Sequence, residues 1–148
     1  IVNDLRRVKQ ADNGDYAIKE ASDFDLTVFI DIDDDGDTEK VHYFLDQNSN
    51  ELKIGKTQPS SSNPPTYSSG DDSVEILASH IVNGSDDPVF SYFGNNYLSN
   101  QVPFDVPVDP EEIINIRLIK VRMLVDIRPY HSPDHVTIES FAKLRNIQ

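Results

Sequence analysis

Between Phe24 and Asp33 the chain alternates: Phe24, Leu26, Val28, Ile30 and Ile32 fall on one side, and Asp23, Asp25, Thr27, Asp31 and Asp33 on the other. Successive side chains of a strand leave opposite faces, so an extended strand half buried against a core is what gathers these five apolar residues together. Asp34-Asp35-Gly36-Asp37 follows, an acidic turn with glycine available for a positive φ. The alternation then resumes, with Val41, Tyr43 and Leu45 opposite Lys40, His42 and Asp46. Asn48-Ser49-Asn50 marks a second turn, and Glu51 to Gly55 carries Leu52 and Ile54 in the same rhythm. Three such strands joined by short turns form an antiparallel meander, which commits the chain to a fold built on a sheet with one covered face.

A different period precedes the meander. From Ile1 to Asp12, Ile1, Leu5 and Val8 recur at offsets of four and three with polar residues between, a helical stripe, and Asn13-Gly14 supplies its stop. The stripe is already periodic at Ile1 with no capping residue before it, so residues 1–13 are expected to be the end of a longer helix. Beyond the meander, Gln58 to Ser73 holds six Ser, three Pro and one aromatic. Burial cannot offset the entropy of ordering such a stretch, and residues 56–73 are expected to be a mobile loop.

Val74 to Val82 mixes strand and turn character, and the aromatic run Pro88 to Phe93 ends at a Gly94-Asn95-Asn96 turn. Pro103, Pro107 and Pro110 keep Leu98 to Asp109 extended but poor in ladder hydrogen bonds. The longest apolar-rich segment is Ile113 to Ile127, where Ile119, Val121, Met123, Val125 and Ile127 alternate with Lys120, Arg122 and Asp126. That pattern suits a long strand in the middle of a sheet. Pro129 to Pro133 ends it, and His135 to Phe141 reads as a last strand with Val136 and Ile138 inward. The expected fold class is α+β: an N-terminal helix packed on an antiparallel sheet of about five to seven strands, in a single domain over 1–148.

Charge and composition narrow the function. Twenty-six acidic against 13 basic side chains give a net charge of −13, which repels phosphate backbones and anionic headgroups and argues against a nucleic-acid partner. With no Cys, disulfides, thiolate zinc sites and a cysteine nucleophile are excluded. No run reaches the roughly 18–20 apolar residues of a membrane span. Glycine-rich phosphate loops and the G-x-S-x-G elbow are absent too, so the chain is read as non-enzymatic. Among so many acids some carboxylate pair is always close, which removes its diagnostic value for a hydrolase.

The most pointed local pattern is Asp31-x-Asp33-x-Asp35-Gly36 with Glu39 at the ninth position. It is written like the first half of an EF-hand calcium loop, alternating carboxylates for a hard cation with glycine at the sharp turn. Position twelve, which should supply a bidentate carboxylate, is His42. The same residues are also accounted for as the solvent face of a strand and its turn, so Asp31, Asp33, Asp35 and Glu39 are candidate calcium ligands and nothing firmer. His131 and His135 have zinc spacing for a helix, but Pro133 between them opposes that helix. Asn83-Gly84-Ser85 fits the N-glycosylation acceptor pattern and is read as a chance match.

Taken in order, the uncapped helix ending in Asp4-Leu5-Arg6-Arg7, the acidic-faced strand, the D-x-D-G turn, Glu39 to Leu45 and Glu51-Leu52-Lys53 resemble prepilin-type proteins. The resemblance is to the minor pilins and minor pseudopilins (the pseudopilin J and PilW-like group) of type IV pili and type II secretion systems. It continues through Val74 to Leu77, Val89 to Tyr92, Ile116 to Val121 and the ending Ser140 to Asn146, with Lys53 where that family often has Arg. The resemblance implies a structural subunit that assembles with other pilin or pseudopilin subunits into a filament or its tip complex. It also implies a bacterial envelope location, periplasmic or extracellular, with membrane anchorage through a preceding apolar helix. Calcium stabilises loops in some such proteins. The other reading of these residues is a calcium-dependent extracellular binding or adhesion module of β-sandwich type.

Overall fold

The computed structural model describes residues 1–128, 131 and 135–145. The meander is where its periodicity places it. Strands β1 (Ile18–Ala21), β2 (Asp25–Ile30), β3 (Glu39–Asp46), β4 (Glu51–Thr57) and β5 (Ser73–Ser79) form one antiparallel sheet in chain order. Its inner face carries Leu26, Val28, Ile30, Val41, Tyr43 and Leu52, each without accessible surface. A second antiparallel sheet is built from β6 (Phe90–Phe93), β7 (Leu118–Val125) and β8 (Val136–Lys143), with β7 in the middle. Phe90, Tyr92, Ile119 and Val121 from this sheet join the residues of the first in one continuous core.

The α+β expectation is overturned. The described residues are mostly β, in two antiparallel sheets of five and three strands, with two helical turns among them, α1 (Val2–Leu5) and α2 (Pro110–Ile113). Among the described residues no long helix covers a sheet. A helix over 1–12 gives way after one turn because this stretch gains more by running beside the sheet: Lys9 N–H donates to the Phe29 carbonyl at 3.0 Å. Val8 and Ala11, which fit a helical stripe by spacing, are buried by this non-helical segment instead. α1 itself packs against β8, so the first helical turn meets the last strand.

The two sheets are joined at a corner. After β5, His80 adopts a left-handed φ of 62°. Ile81 N–H still bonds the Asn50 carbonyl of the first sheet, at 2.9 Å, while Val82 N–H bonds Leu124 of the second, at 2.8 Å. A bend of this kind lets one strand pass from sheet to sheet without leaving backbone groups unpaired. Just past it, Asn83 is almost fully buried. Its amide donates to the carbonyls of Asp87 (2.9 Å) and Arg122 (3.0 Å), and its Oδ1 accepts from Leu124 N–H at 2.8 Å. The glycosylation pattern thus falls on a side chain fully engaged inside the fold.

Two further expectations change. On β8, Val136 and Ile138 are about half exposed rather than inward, because that end of the strand runs past the core. The Ser/Pro-rich stretch between β4 and β5 is anchored over the outer face of the first sheet. Its one aromatic, Tyr67, packs against Phe29 with ring planes tilted by 55° and centroids 5.1 Å apart, and donates to the Thr38 carbonyl at 2.7 Å. The buried Lys40 ammonium donates to the carbonyls of Ser68 and Gly70 at 2.6 and 3.2 Å. Of the strand-ending stretch expected at Pro129 to Pro133 only His131 is described, its N–H bonding the Arg128 carbonyl at 3.0 Å, and the rest of it, with Asn146 of the family-like ending, lies outside the described residues.

Candidate cation site

The site sits where β2 hands over to β3. Glu39 opens β3 and pairs in register with Ile30, the last residue of β2. Directly opposed residues share a face of the sheet, and Ile30 faces the core, so Glu39 faces inward as well and has no accessible surface. Asp31 and Asp33 belong to the segment leaving β2, half-buried and exposed respectively. One carboxylate oxygen from each of Asp31, Asp33 and Glu39 can be chosen so that all three lie within 4.8 Å of one another. Oxygens sharing one calcium ion at its usual bond length can be at most about 5 Å apart, so the spacing suits a common hard cation.

The hydrogen bonds around the three carboxylates are unbalanced. Glu39 Oε2 accepts from Ile32 N–H at 2.9 Å, but Glu39 Oε1 and Asp31 Oδ1 are both shielded from solvent and have no partner. A buried, unpaired carboxylate oxygen is costly. The Glu39 carboxyl is accordingly pushed above the usual range, first by burial and then by the negative charges of Asp33 and Asp35, with the Ile32 bond opposing. Basic groups lie at the rim: Lys9 Nζ is 3.9 Å from Asp31 Oδ2, and Arg7 donates to the Asp31 carbonyl at 2.5 Å and pairs with Asp34.

Three of the four sequence candidates therefore come together and one does not. Asp35 turns away, its Oδ1 accepting from Asp37 N–H at 2.9 Å inside the turn. Asp12 holds the root of the hairpin from outside the candidate set, accepting from Thr38 N–H at 2.8 Å and Thr38 Oγ1 at 2.9 Å. His42, at the twelfth position of the calcium-loop pattern, is on the opposite face. It lies between Asp25 (Nε2 to Oδ1, 3.2 Å) and Asp71 (Nδ1 to Oδ2, 3.1 Å) and stacks on Phe44. The Asp25 hydrogen bond, reinforced by Asp71 against a burial penalty, raises the His42 pKa. With both ring nitrogens held by carboxylates, His42 is a tie between sheet and loop and has no nitrogen free for a substrate proton.

Among the described residues, Asp31, Asp33 and Glu39 are the one group of three or more His, Asp or Glu side chains that closes so tightly, and no helix is long and apolar enough to cross a membrane. Comparison of the chain with protein-family models, with curated proteins and with solved structures found no match.

Proposed function

We propose that this chain is a structural subunit of prepilin type: a β-rich head, exposed in the periplasm or outside the cell, that works by protein–protein contact in a type IV pilus-like or type II secretion filament or its tip complex. The expected helix-on-sheet packing is not what the chain adopts, so the proposal rests on the resemblance and on the surfaces of the β head. The observation that carries it is the state of two outermost strands. β5 leaves Val74, Ile76 and Leu77 exposed, Ile76 by 57%, and β8 does the same with Val136 and Ile138, Ile138 by 48%. An edge strand with free backbone groups and aliphatic side chains is the kind of surface that a neighbouring subunit covers.

The test is Ile76→Lys with Ile138→Lys in the full-length subunit. Both side chains are exposed, so the melting free energy of the head should stay within about 0.5 kcal/mol of the parent, while filament assembly, followed by electron microscopy and pelleting, is lost. Unchanged assembly in a folded double variant overturns the reading.

The second reading, a calcium-dependent extracellular adhesion module, is favoured by the Asp31, Asp33 and Glu39 cluster. The codons upstream of Ile1 separate the two. A short basic leader, then Gly or Ala, then about 20 apolar residues with an early Glu supports the subunit. An ordinary secretory signal supports the adhesion module.

A further inference from the structure

We propose that Asp31, Asp33 and Glu39 bind one divalent cation of the calcium class, with the inward-facing Glu39, not Asp35, as the anchoring ligand. This inference does not rest on the assembly reading, since the site is formed at the β2–β3 junction and takes no ligand from β5 or β8. An acidic turn alone would carry no such claim, because exposed carboxylates are adequately served by water. Here Glu39 is completely buried, spends one oxygen on Ile32 N–H and leaves the other without a donor, and Asp31 leaves a second shielded oxygen in the same state. A cation held by these carboxylates would supply the partner that their own hydrogen bonds do not.

The donor set indicates which cation. All three ligands are carboxylates, with no His or Cys in the group, which suits a hard ion and disfavours zinc or copper. Magnesium demands near-ideal octahedral geometry and retains its waters. Calcium accepts six to eight oxygens in irregular arrangements and can complete its shell with water on the side where Asp33 is exposed. The bound ion would close the mouth of the β2–β3 hairpin. Arg7 and Lys9, already on the Asp31 carbonyl and carboxylate, would link that closure to the segment preceding β1. The competing occupant of the same space is a proton on Glu39, whose carboxyl is pushed up by burial.

The experiment is a calorimetric titration of the metal-stripped chain with CaCl₂ at pH 7.5, together with melting curves in 10 mM CaCl₂, in 10 mM MgCl₂, and in NaCl of matched ionic strength. One saturable site, with a melting temperature about 3–10 °C higher in calcium than in the other salts, is the expected result. Asp33→Ala, at an exposed position, should abolish both effects, as should Glu39→Ala, whereas Asp35→Ala should preserve them. The proposal is overturned by a folded chain with no calcium heat and no calcium shift, the outcome for a protonated Glu39. Equal shifts in magnesium or NaCl overturn it as well, and so does binding that survives Asp33→Ala or requires Asp35. Should Glu39→Ala fail to fold, the parent titration and the Asp33 and Asp35 variants decide.

Discussion

Replacing Gly55 by Ala should loosen the stretch between β4 and β5 without touching the core. Gly55 lies on β4 opposite His42 of β3 and Val74 of β5. A methyl group there would overlap the Asp71 carboxylate and come within 2.8 Å of its Oδ1. Asp71 is the loop's link to His42, at 3.1 Å and largely shielded from water, so the methyl evicts it. A lost hydrogen bond to a charged group is worth about 1.5–3 kcal/mol, at the low end here because His42 is partly hydrated and keeps Asp25. Against this, Ala in a strand gains about 0.5–1 kcal/mol over Gly. The net is a loss of about 1 kcal/mol, or about 2–4 °C in melting temperature for a chain of this size. A double-mutant cycle isolates the cause: in an Asp71→Ala background the same Gly55→Ala change meets no carboxylate and should stabilise by about 0.5–1 kcal/mol. The assay is urea unfolding of the four proteins. Additive effects, or a stabilising Gly55→Ala in the parent, would refute the reasoning.

The His42 tie should also register in pH. Its folded pKa is raised above the unfolded value of about 6.5, so its contribution is fully present below that value and is lost as pH rises through the folded pKa. Melting at pH 6 and pH 8.5 should differ by no more than about 1 kcal/mol from this group, and His42→Gln should remove that component. Asn83→Ala strips three hydrogen bonds from the corner between the sheets and should cost about 3 kcal/mol in chemical denaturation; a loss below about 1 kcal/mol would show that water replaces the amide. In chelator at neutral pH, Glu39→Gln should unfold no more easily than the parent, since it removes a buried negative charge and keeps an acceptor for Ile32 N–H. A large loss in urea titration would mean that the charge itself is needed.

The meander was legible because its alternation is strict and its apolar residues are large: Leu26, Val28, Val41, Tyr43 and Leu52 leave no other way to be buried. The helix was misread because the spacing of Ile1, Leu5 and Val8 suits a helix, while what settles the matter is a backbone bond from Lys9 to Phe29, 20 positions away, that local pattern does not encode. The division into two sheets turns on a single left-handed residue, His80, of a type that carries no turn signature. α2 did have a signal, Asp109-Pro110-Glu111-Glu112, a capping residue followed by Pro and acids. Phe29, the one large apolar residue on the polar side of β2, was a sign that Tyr67 would cover it. Of the candidate site, Asp31, Asp33 and Glu39 were readable as a set. The inward direction of Glu39 follows from its parity with Val41 and Tyr43, whereas the exclusion of Asp35 depends on how the turn closes on Asp37.

The contact between α1 and β8 bears on how the chain matures during synthesis. Each neighbouring pair of strands in both sheets is adjacent in sequence, so the sheets can zip up in order as they leave the ribosome. Some early segments wait for late partners, as β1 does for the Val108 N–H on the Ala21 carbonyl, and the first helical turn waits longest: Leu5, fully covered in the finished fold, belongs to a segment whose β8 contacts are made by residues translated some 130 positions later. Until then that segment keeps apolar surface open to chaperones, and truncation before β8 should leave a chain whose sheets are largely formed and whose opening residues are adhesive.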